Sequence, residues 1–456
     1  MHDDKVKLYT CAQVRTGEDV LQRLRAIGRD PHVLAVVGLP EIHLKPKLET
    51  PSSVAVATRG ALCAQLSSPS PNCGMAMLAL DLSATDAAAR LDRLMSAVRE
   101  LVPMKRSPYR LTTADALTAM AQGGAFTRSR FDELELPAER IDDGGRLESP
   151  PPDELQGLVP AALQRIAAAD YGALGGGNHF LELEEVAEVL DPQAAERFGL
   201  VEGQAVILYH TGSGMFGYEM GRLYSYRRKV SPKYLPRIMV RKIAFHGARA
   251  RSWDDRARRW RLFVRPTRWS WVDADLPEAD EMRLALDLAM NFGYANRSAV
   301  AVAIAAAVHA VFGDVPVRLV LDSSHNSIGR QAGDWIHRHN ASRAIPVASA
   351  DGGPFAGIGR PILLPGTDRS SSYVCRPGAR VADSLFSVDH GAGTTVEALG
   401  TPRGDGAETI RFHYSGARES IDHLTDDGIE CVLGALRASD LAHPVARTTP
   451  LAVLKE

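Results

Sequence analysis

Cysteine is scarce in this chain and shows no pairing pattern. Its five cysteines, Cys11, Cys63, Cys73, Cys375 and Cys431, are scattered, odd in number and free of any C-x-x-C pair. That argues against a disulfide framework and a zinc knuckle, and it fits a reducing compartment. The amino terminus, MHDDKVKLYT, lacks the charged-then-apolar order of a secretory signal. Long hydrophobic runs are missing as well. The most apolar stretch, Ala299 to Phe312, is broken by His309 and falls short of the roughly 20 residues a bilayer crossing needs. These absences predict a cytoplasmic protein with no membrane partner. Low-complexity tracts and internal repeats are also lacking. Apolar residues make up 45% and charged residues 24% of 456 positions, which excludes disordered, collagen-like and coiled-coil readings and leaves enough chain for a sizeable core.

Net charge is nearly absent, at −2, but the near-zero total hides a segregation. From Arg222 to Arg268 there are 16 Lys or Arg and only two acids, Asp254 and Asp255, so these 47 residues carry +14 and the remainder −16. Four of the five tryptophans, Trp253, Trp260, Trp269 and Trp271, lie in or just after this stretch. Charge runs are most often solvated surface. Arginine interleaved with tryptophan is also the combination that grips phosphates and stacks unpaired bases, so residues 222–271 are a candidate RNA-binding segment. Replacing Arg256, Arg258, Arg259 and Arg261 by Gln is then expected to flatten the salt dependence of RNA binding.

Leu91, Leu94, Met95, Val98, Leu101 and Val102 recur at three- and four-residue steps, which predicts an amphipathic helix capped by Ser83 or Thr85, stopped by Pro103 and packed on a sheet. The turn-rich, acidic stretch Arg140 to Pro152 reads as a surface loop. Between Pro277 and Pro316 the chain is free of proline and rich in alanine, which predicts a largely buried helix. Gln204 to Tyr209, Val315 to Leu321 and Pro361 to Leu364 read as buried strands. Strand and helix signals mix without a clean alternating order, so the fold class is α/β or α+β.

Several of these strands end in polar clusters. VILY runs into His210 and then TGSGMFG, RLVLD runs into SSHNSI with His325 and Asn326, and GALGGGNHFLELE sets Asn178 and His179 between a glycine run and a strand. Functional groups gather at such ends because loops aim side chains while a sheet holds them still. In DHGAGTT, His390 is followed by Gly391, Ala392 and Gly393, small residues that let backbone amides approach an anion. One histidine of this kind is usually structural. Four of them, with a cysteine in an S-P-N-C-G-M context, offer a nitrogen and sulfur donor set suited to zinc, manganese, cobalt or iron-type ions rather than calcium or magnesium.

These residues carry a resemblance. GALGGGNHFLELE, HTGSGMFG, the ANR of Ala295 to Arg297, SSHN, PG-x5-SYV from Pro365 to Val374, DHGAG and the terminal VAR-x2-PLAVLK resemble, in order and approximate spacing from Val36 to Lys455, the RtcB-type RNA ligases. Those enzymes use GTP and manganese to join RNA 3′-phosphate or 2′,3′-cyclic phosphate ends to 5′-hydroxyl ends. The resemblance implies an α+β (mixed α/β) fold, a single body over residues 1–456 with central β-sheets flanked by helices around a deep metal and GTP cleft. It implies Cys73, His179, His210 and His325 as ligands of one or two Mn²⁺, with His390 as the nucleophile that carries GMP. It implies a guanylate pocket formed by Asn178, Phe180, Glu182, Asn326, Ser372, Gly391, Ala392, Gly393 and Lys455, with Glu182 and Lys455 reading the base. The implied partners are RNA with such ends and, as in some relatives, an activating protein.

The match departs from the family pattern at chemically important places. Ser70 stands where the family has a metal-binding Asp, and Asn72 where it has Gly. Glu41 replaces the Asp of P-D-x-H, with His43 retained, and Gly214, His339 and Thr394 stand at three basic positions. The Tyr-Lys pair expected near Asp426 is not visible. A missing first ligand carboxylate predicts weaker binding of one manganese unless Glu41 or Asp389 makes up the loss. The expected activity is RNA ligation. Guanylyl transfer without sealing, or RNA binding with a vestigial metal site, are the alternatives.

Overall fold

The computed structural model describes residues 5–46, 48–225, 234–265, 269–349 and 353–456. Aliphatic runs buried over most of their length build a large antiparallel sheet in which neighbouring strands follow the order Ile362–Leu364, Ser372–Pro377, Ala442–Lys455, Phe180–Val189, Gln204–Thr211, Gly74–Ser83 and Val317–Ser324. Both faces are covered, and Gln204–Thr211 is buried along its whole length. A second, five-stranded sheet runs Val6–Leu8, Val33–His43, Ser52–Thr58, Asp334–His339 and Asn326–Gln331. The chain passes from Val317–Ser324 in the first sheet to Asn326–Gln331 in the second through His325 alone, so that histidine sits at the corner where the two sheets meet. With helices packed around both sheets, the class is α+β of mixed composition, as predicted.

The alanine-rich stretch forms one helix, Pro277–Phe312, of 36 residues, begun by Pro277 and ended at Gly313 with φ 80°. It is long and apolar enough to cross a membrane, but 78% of its most apolar window is buried inside the fold. It joins two apolar clusters, one shared with the central sheet and one with the helices Thr113–Gln122, Ala161–Asp170 and Gly214–Tyr224.

Three expectations need correction. The amphipathic helix exists as Leu91–Leu101, behind a short helix Ala84–Ala89 whose cap is Ser83. Its apolar face meets Pro277–Phe312 more than the sheet, because that helix already covers this side of the sheet. The Arg140–Pro152 stretch is not merely surface. Asp142 is 3% exposed and accepts hydrogen bonds from Ser323 Oγ and the Ser324 amide, 3.0 Å each, so its charge is spent inside the fold. Lastly, Cys11 and Cys431 form a disulfide with Cα atoms 5.4 Å apart. Residues 420 positions apart come together because Asp427–Ala438 and the chain around Tyr9 share one apolar cluster, which spacing alone does not disclose.

The long helix also carries a buried charge to the place where the strands end. Arg297, 0% exposed, donates from Nε to Asp322 Oδ1 at 2.6 Å, from Nη1 to Asn72 O at 2.8 Å and Thr211 O at 3.3 Å, and from Nη2 to Asn72 Oδ1 at 2.7 Å. Removing one partner of such a pair leaves a buried charge uncompensated. Arg297→Ala is expected to destabilise the protein by about 3–5 kcal/mol. Urea unfolding followed by circular dichroism measures this, and an unchanged midpoint would contradict it.

Candidate metal and nucleotide site

Cys73 follows a turn in which Asn72 adopts φ +51°, a conformation that asparagine tolerates better than most side chains. Asn72 is held on several sides: its amide donates to Asn326 O at 2.9 Å, its Nδ2 to Met290 O, and its carbonyl and Oδ1 receive Arg297. The next residue on this path, Gly212 across the sheet, has no room for a side chain, because a Cβ there would lie 2.3 Å from Asn72 O. The Cys73 carbonyl accepts the His325 amide at 3.1 Å, so the thiol and that imidazole are fixed to each other through the backbone.

Around Cys73 Sγ lie His210 Nε2 at 3.1 Å and His179 Nε2 at 3.3 Å. The ligand atoms of Cys73, His210 and His325 all fall within 4.8 Å of one another, and all three residues are buried. His210 turns its Nδ1 to Asn178 O at 3.0 Å, and His179 its Nδ1 to Leu174 O at 2.8 Å. Carbonyl partners require N–H at Nδ1, which leaves each Nε2 as a neutral lone pair aimed at the sulfur, the arrangement a metal-binding imidazole needs. His179 is pressed into place by Gly175, whose φ of +91° and missing Cβ let the ring approach. Burial pushes the Cys73 thiol up to about 11 and His179 down to about 4, and drives His210 and His325 well below the usual imidazole range. Without a cation the cluster is therefore neutral, and the His325 Nδ1 is buried with no partner. A divalent ion would supply what is missing, since it would stabilise the thiolate and take up the lone pairs. The donor set fits a thiophilic or borderline transition metal.

His390 stacks obliquely on His325, ring centres 4.7 Å apart. It hydrogen-bonds the Asn340 backbone, burial holds it down at about 3, and its Nδ1 is buried with no partner. Beside it is a cavity of about 270 Å³ lined by Asn178, Phe180, Glu182, His210, His390, Gly391, Gly393 and Lys455. Strand pairing explains the arrival of the chain end here, because Lys455 pairs with Phe180 and Val453 with Glu182. Glu182 lies well above the ordinary carboxylate range through burial and then through its neighbours Glu184 and Asp368, with Lys455 opposing the shift.

Of the predicted nucleotide residues, three do not line this cavity. Ser372 stands behind it, its Oγ accepting the Gly366 amide at 3.2 Å. Ala392 is buried and its amide donates to Pro365 O at 2.9 Å. Asn326 clamps the turn, accepting the Asn340 amide on Oδ1 at 2.8 Å and the Asn72 amide on its carbonyl. Sequence reasoning missed Lys45, which lines the cavity and whose pKa burial lowers, and Glu184, whose signal was present in the i, i+2 alternation of FLELEE.

A sequence profile of the family described as "tRNA-splicing ligase RtcB" matches residues 24–456. The chain belongs to the RtcB family. Its relatives include the tRNA-splicing ligase RtcB of Pyrococcus furiosus, 29% identical over 414 residues that cover 84% of this chain and 40% of that protein. The RNA-splicing ligase RtcB of Mycobacterium tuberculosis is 28% identical over 390 residues, covering 80% and 82% respectively. The tRNA-splicing ligase RtcB of Thermococcus kodakarensis is 26% identical over 421 residues, covering 84% and 80%. The chain thus spans less than half the length of the Pyrococcus furiosus relative.

The departures from the RtcB pattern can now be placed. Glu41 does not stand in for the lost carboxylate at Ser70, because it accepts the amides of Thr394 and Thr395 at 2.5 and 3.2 Å and the Thr395 hydroxyl. Asp389 is buried and accepts the Glu41 amide at 3.0 Å. Gly214, with φ +56°, opens a helix whose Met215 amide donates to Asp170 Oδ2 at 3.0 Å, so an acid rather than a base sits at that corner. The 222–271 segment lies partly outside the described residues. Within them, Arg259 is 4% exposed and paired with Asp255 and Glu281, and Arg258 is paired with Asp255 and the buried Glu278. Trp271 packs on His32, ring centres 5.1 Å apart, and Trp269 joins the same apolar cluster. Arg256 stacks on Trp253, which is 81% exposed, and Trp260 is half exposed.

Adding Co²⁺ to the metal-free protein is expected to produce a thiolate-to-metal absorption band that Cys73→Ser abolishes. A band that persists in Cys73→Ser would place the metal elsewhere.

Proposed function

We propose that the protein is a GTP- and Mn²⁺-dependent RNA ligase joining RNA 3′-phosphate or 2′,3′-cyclic phosphate ends to 5′-hydroxyl ends, in RNA splicing or repair. The observation that carries this reading is a neutral, partner-free His390 nitrogen set between the Cys73, His210 and His325 cluster and the cavity that holds Glu182 and Lys455. Bound metal would supply Lewis-acid neutralisation of phosphate oxygens. His390, uncharged at physiological pH, attacks the α-phosphorus of GTP, a nitrogen–phosphorus bond forms and pyrophosphate leaves. The RNA 3′-phosphate then attacks the same phosphorus and frees His390, and the 5′-hydroxyl of the second RNA displaces GMP to close the phosphodiester. Asn178 and the amides of Gly391 and Gly393 line the space where the phosphates would lie, and Glu182 and Lys455 line its base end. Most of the acceleration in phosphoryl transfer comes from such positioning and charge stabilisation.

On the metal count, Cys73 with His210 and His325 forms a complete cluster, while the His179 side is left with Cys73 and His179 now that Ser70 replaces a carboxylate. We take the first as the tighter site. A second reading, guanylyl transfer without sealing, is favoured by Asp170 at the Gly214 corner, since a carboxylate there repels RNA phosphate. For gripping RNA, the exposed Arg256, stacked on Trp253, is the best-placed arginine of the basic segment among the described residues.

Incubation with α-labelled GTP and Mn²⁺ is expected to label the protein covalently, and His390→Ala to abolish the label. Absence of label with every divalent metal tried would overturn the reading. Ser70→Asp is expected to raise the metal bound after gel filtration from about one ion per chain to about two. An unchanged metal content would remove the case for Ser70 as the missing ligand.

A further inference from the structure

A second cavity, of about 550 Å³, opens on the other side of the His325–Asn326 corner, with Ser324 and Ser327 in its wall, and shares no lining residue with the nucleotide cavity. Four guanidinium groups face it, Arg330, Arg338, Arg343 and Arg360, against two carboxylates, Asp142 and Asp143. The carboxylates are already committed. Asp143 holds Arg343 at 2.7 Å and the Tyr294 hydroxyl at 2.9 Å, while Asp142 holds Arg360 Nη1 at 3.2 Å besides Ser323 and Ser324.

What remains is positive and unsatisfied. Among the described residues Arg360 keeps Nε and Nη2 buried with no partner, one edge of the guanidinium fork facing no acceptor. Arg338, 3% exposed, donates among the described residues to neutral oxygens, those of Ser387, Gln331, Leu385 and Phe386. Burial and the neighbouring Arg343 pull it down to about 9, more than the nearby Asp142 and Asp143 raise it. Arg330 is exposed and lies over the Trp335 ring at 4.6 Å, with no carboxylate partner among the described residues. Buried guanidinium donors left unmade are costly, and paired N–H groups match a phosphate in two-point geometry.

We propose that this arginine cleft is a phosphodiester site that holds the backbone of an RNA strand beside the metal cluster. The inference rests on the RNA-ligase reading for the identity of its ligand, and on Arg360, Arg338 and Arg330 for its chemistry. The cleft sets arginines near the site in a chain that has Gly214, His339 and Thr394 at positions where the resembled pattern is basic.

The test is equilibrium binding of a fluorescent single-stranded RNA to the full chain across a salt series, without GTP. Arg360→Gln and the exposed Arg330→Gln are each expected to weaken binding about 5- to 10-fold and to lower the slope of log affinity against log salt by about 0.7. Arg318→Gln, exposed at the far end of the strand that leads to Ser324, should change neither. Should Arg360→Gln fail to fold, Arg330→Gln alone decides, since it replaces a surface residue. Unchanged affinity and slope overturn the proposal, as does inorganic phosphate binding at the cleft with no effect of the variants on RNA. Because no nucleotide is present, a negative GTP-labelling result would sink the ligase reading and leave this measurement standing.

Discussion

One guanidinium group organises the site. Arg297 reaches from the middle of the long helix to Asp322 near the end of one strand, to Thr211 at the end of another, and to both oxygens of Asn72 in the turn before Cys73. The residues that follow or precede these anchors, His325, His210 and Cys73, are those whose ligand atoms converge. Three chain segments that are distant in sequence thus take their mutual position from one planar ion with a fixed donor geometry. Asn296, next to it, does the same for the glycine-rich approach to His179, accepting the Gly172 amide at 2.6 Å and donating to Ala173 O and Gly212 O. A buried ion pair is weak evidence of stability, but it is a demanding register mark, since a slip of one residue would leave both charges unpaired.

That same charge shapes the electrostatics. Arg297 lowers the Cys73 thiol, though less than burial raises it, and it opposes protonation of His179 and His325. The outcome is a buried pocket of neutral donors next to the Arg297 cation, which Asp322 matches, with Lys45 as a second nearby positive group. Neutral donors accept a cation without first giving up a proton on nitrogen, and only the thiol must ionise as the metal enters. His390 shares this environment, and burial favours its neutral imidazole, the form that the proposed nucleophilic role requires.

Much of this was legible in the sequence, for identifiable reasons. Cys73, His179, His210 and His325 stood at strand ends in distinctive contexts, and the structure brings them together. The proline-free alanine run became the Pro277–Phe312 helix because no residue within it competes with the helical backbone. Other features depended on partners far along the chain. Asp142 looked like a solvated loop acid until Ser323 and Ser324 met it. Arg258 and Arg259 looked like part of a free basic stripe, yet Glu278 and Glu281, at the start of the long helix, neutralise them. The disulfide joins residues whose separation of 420 gives no local cue. Asn326 carries its motif faithfully but spends its side chain on the Asn340 backbone. In each case the residue type was correctly noticed, and the competing partner lay outside any local window.

The apparent neutrality of the whole chain is resolved in the same way. A basic segment that seems to offer an uninterrupted +14 gives up part of its charge to acids from elsewhere, so charge along the sequence overstates charge on the surface. The arginines beside His325 show the converse. Arg330, Arg338, Arg343 and Arg360 are spread over 31 positions and form no run in the sequence, yet they converge on one cavity where two aspartates cannot balance them. A local excess of positive charge with little access to water exerts a stronger field than a solvated stripe of equal count, because the surrounding dielectric is lower and counter-ions screen it less. On the proposed RNA-ligase reading, the convergent arginines rather than the conspicuous ones are the better-placed groups to hold a phosphate backbone.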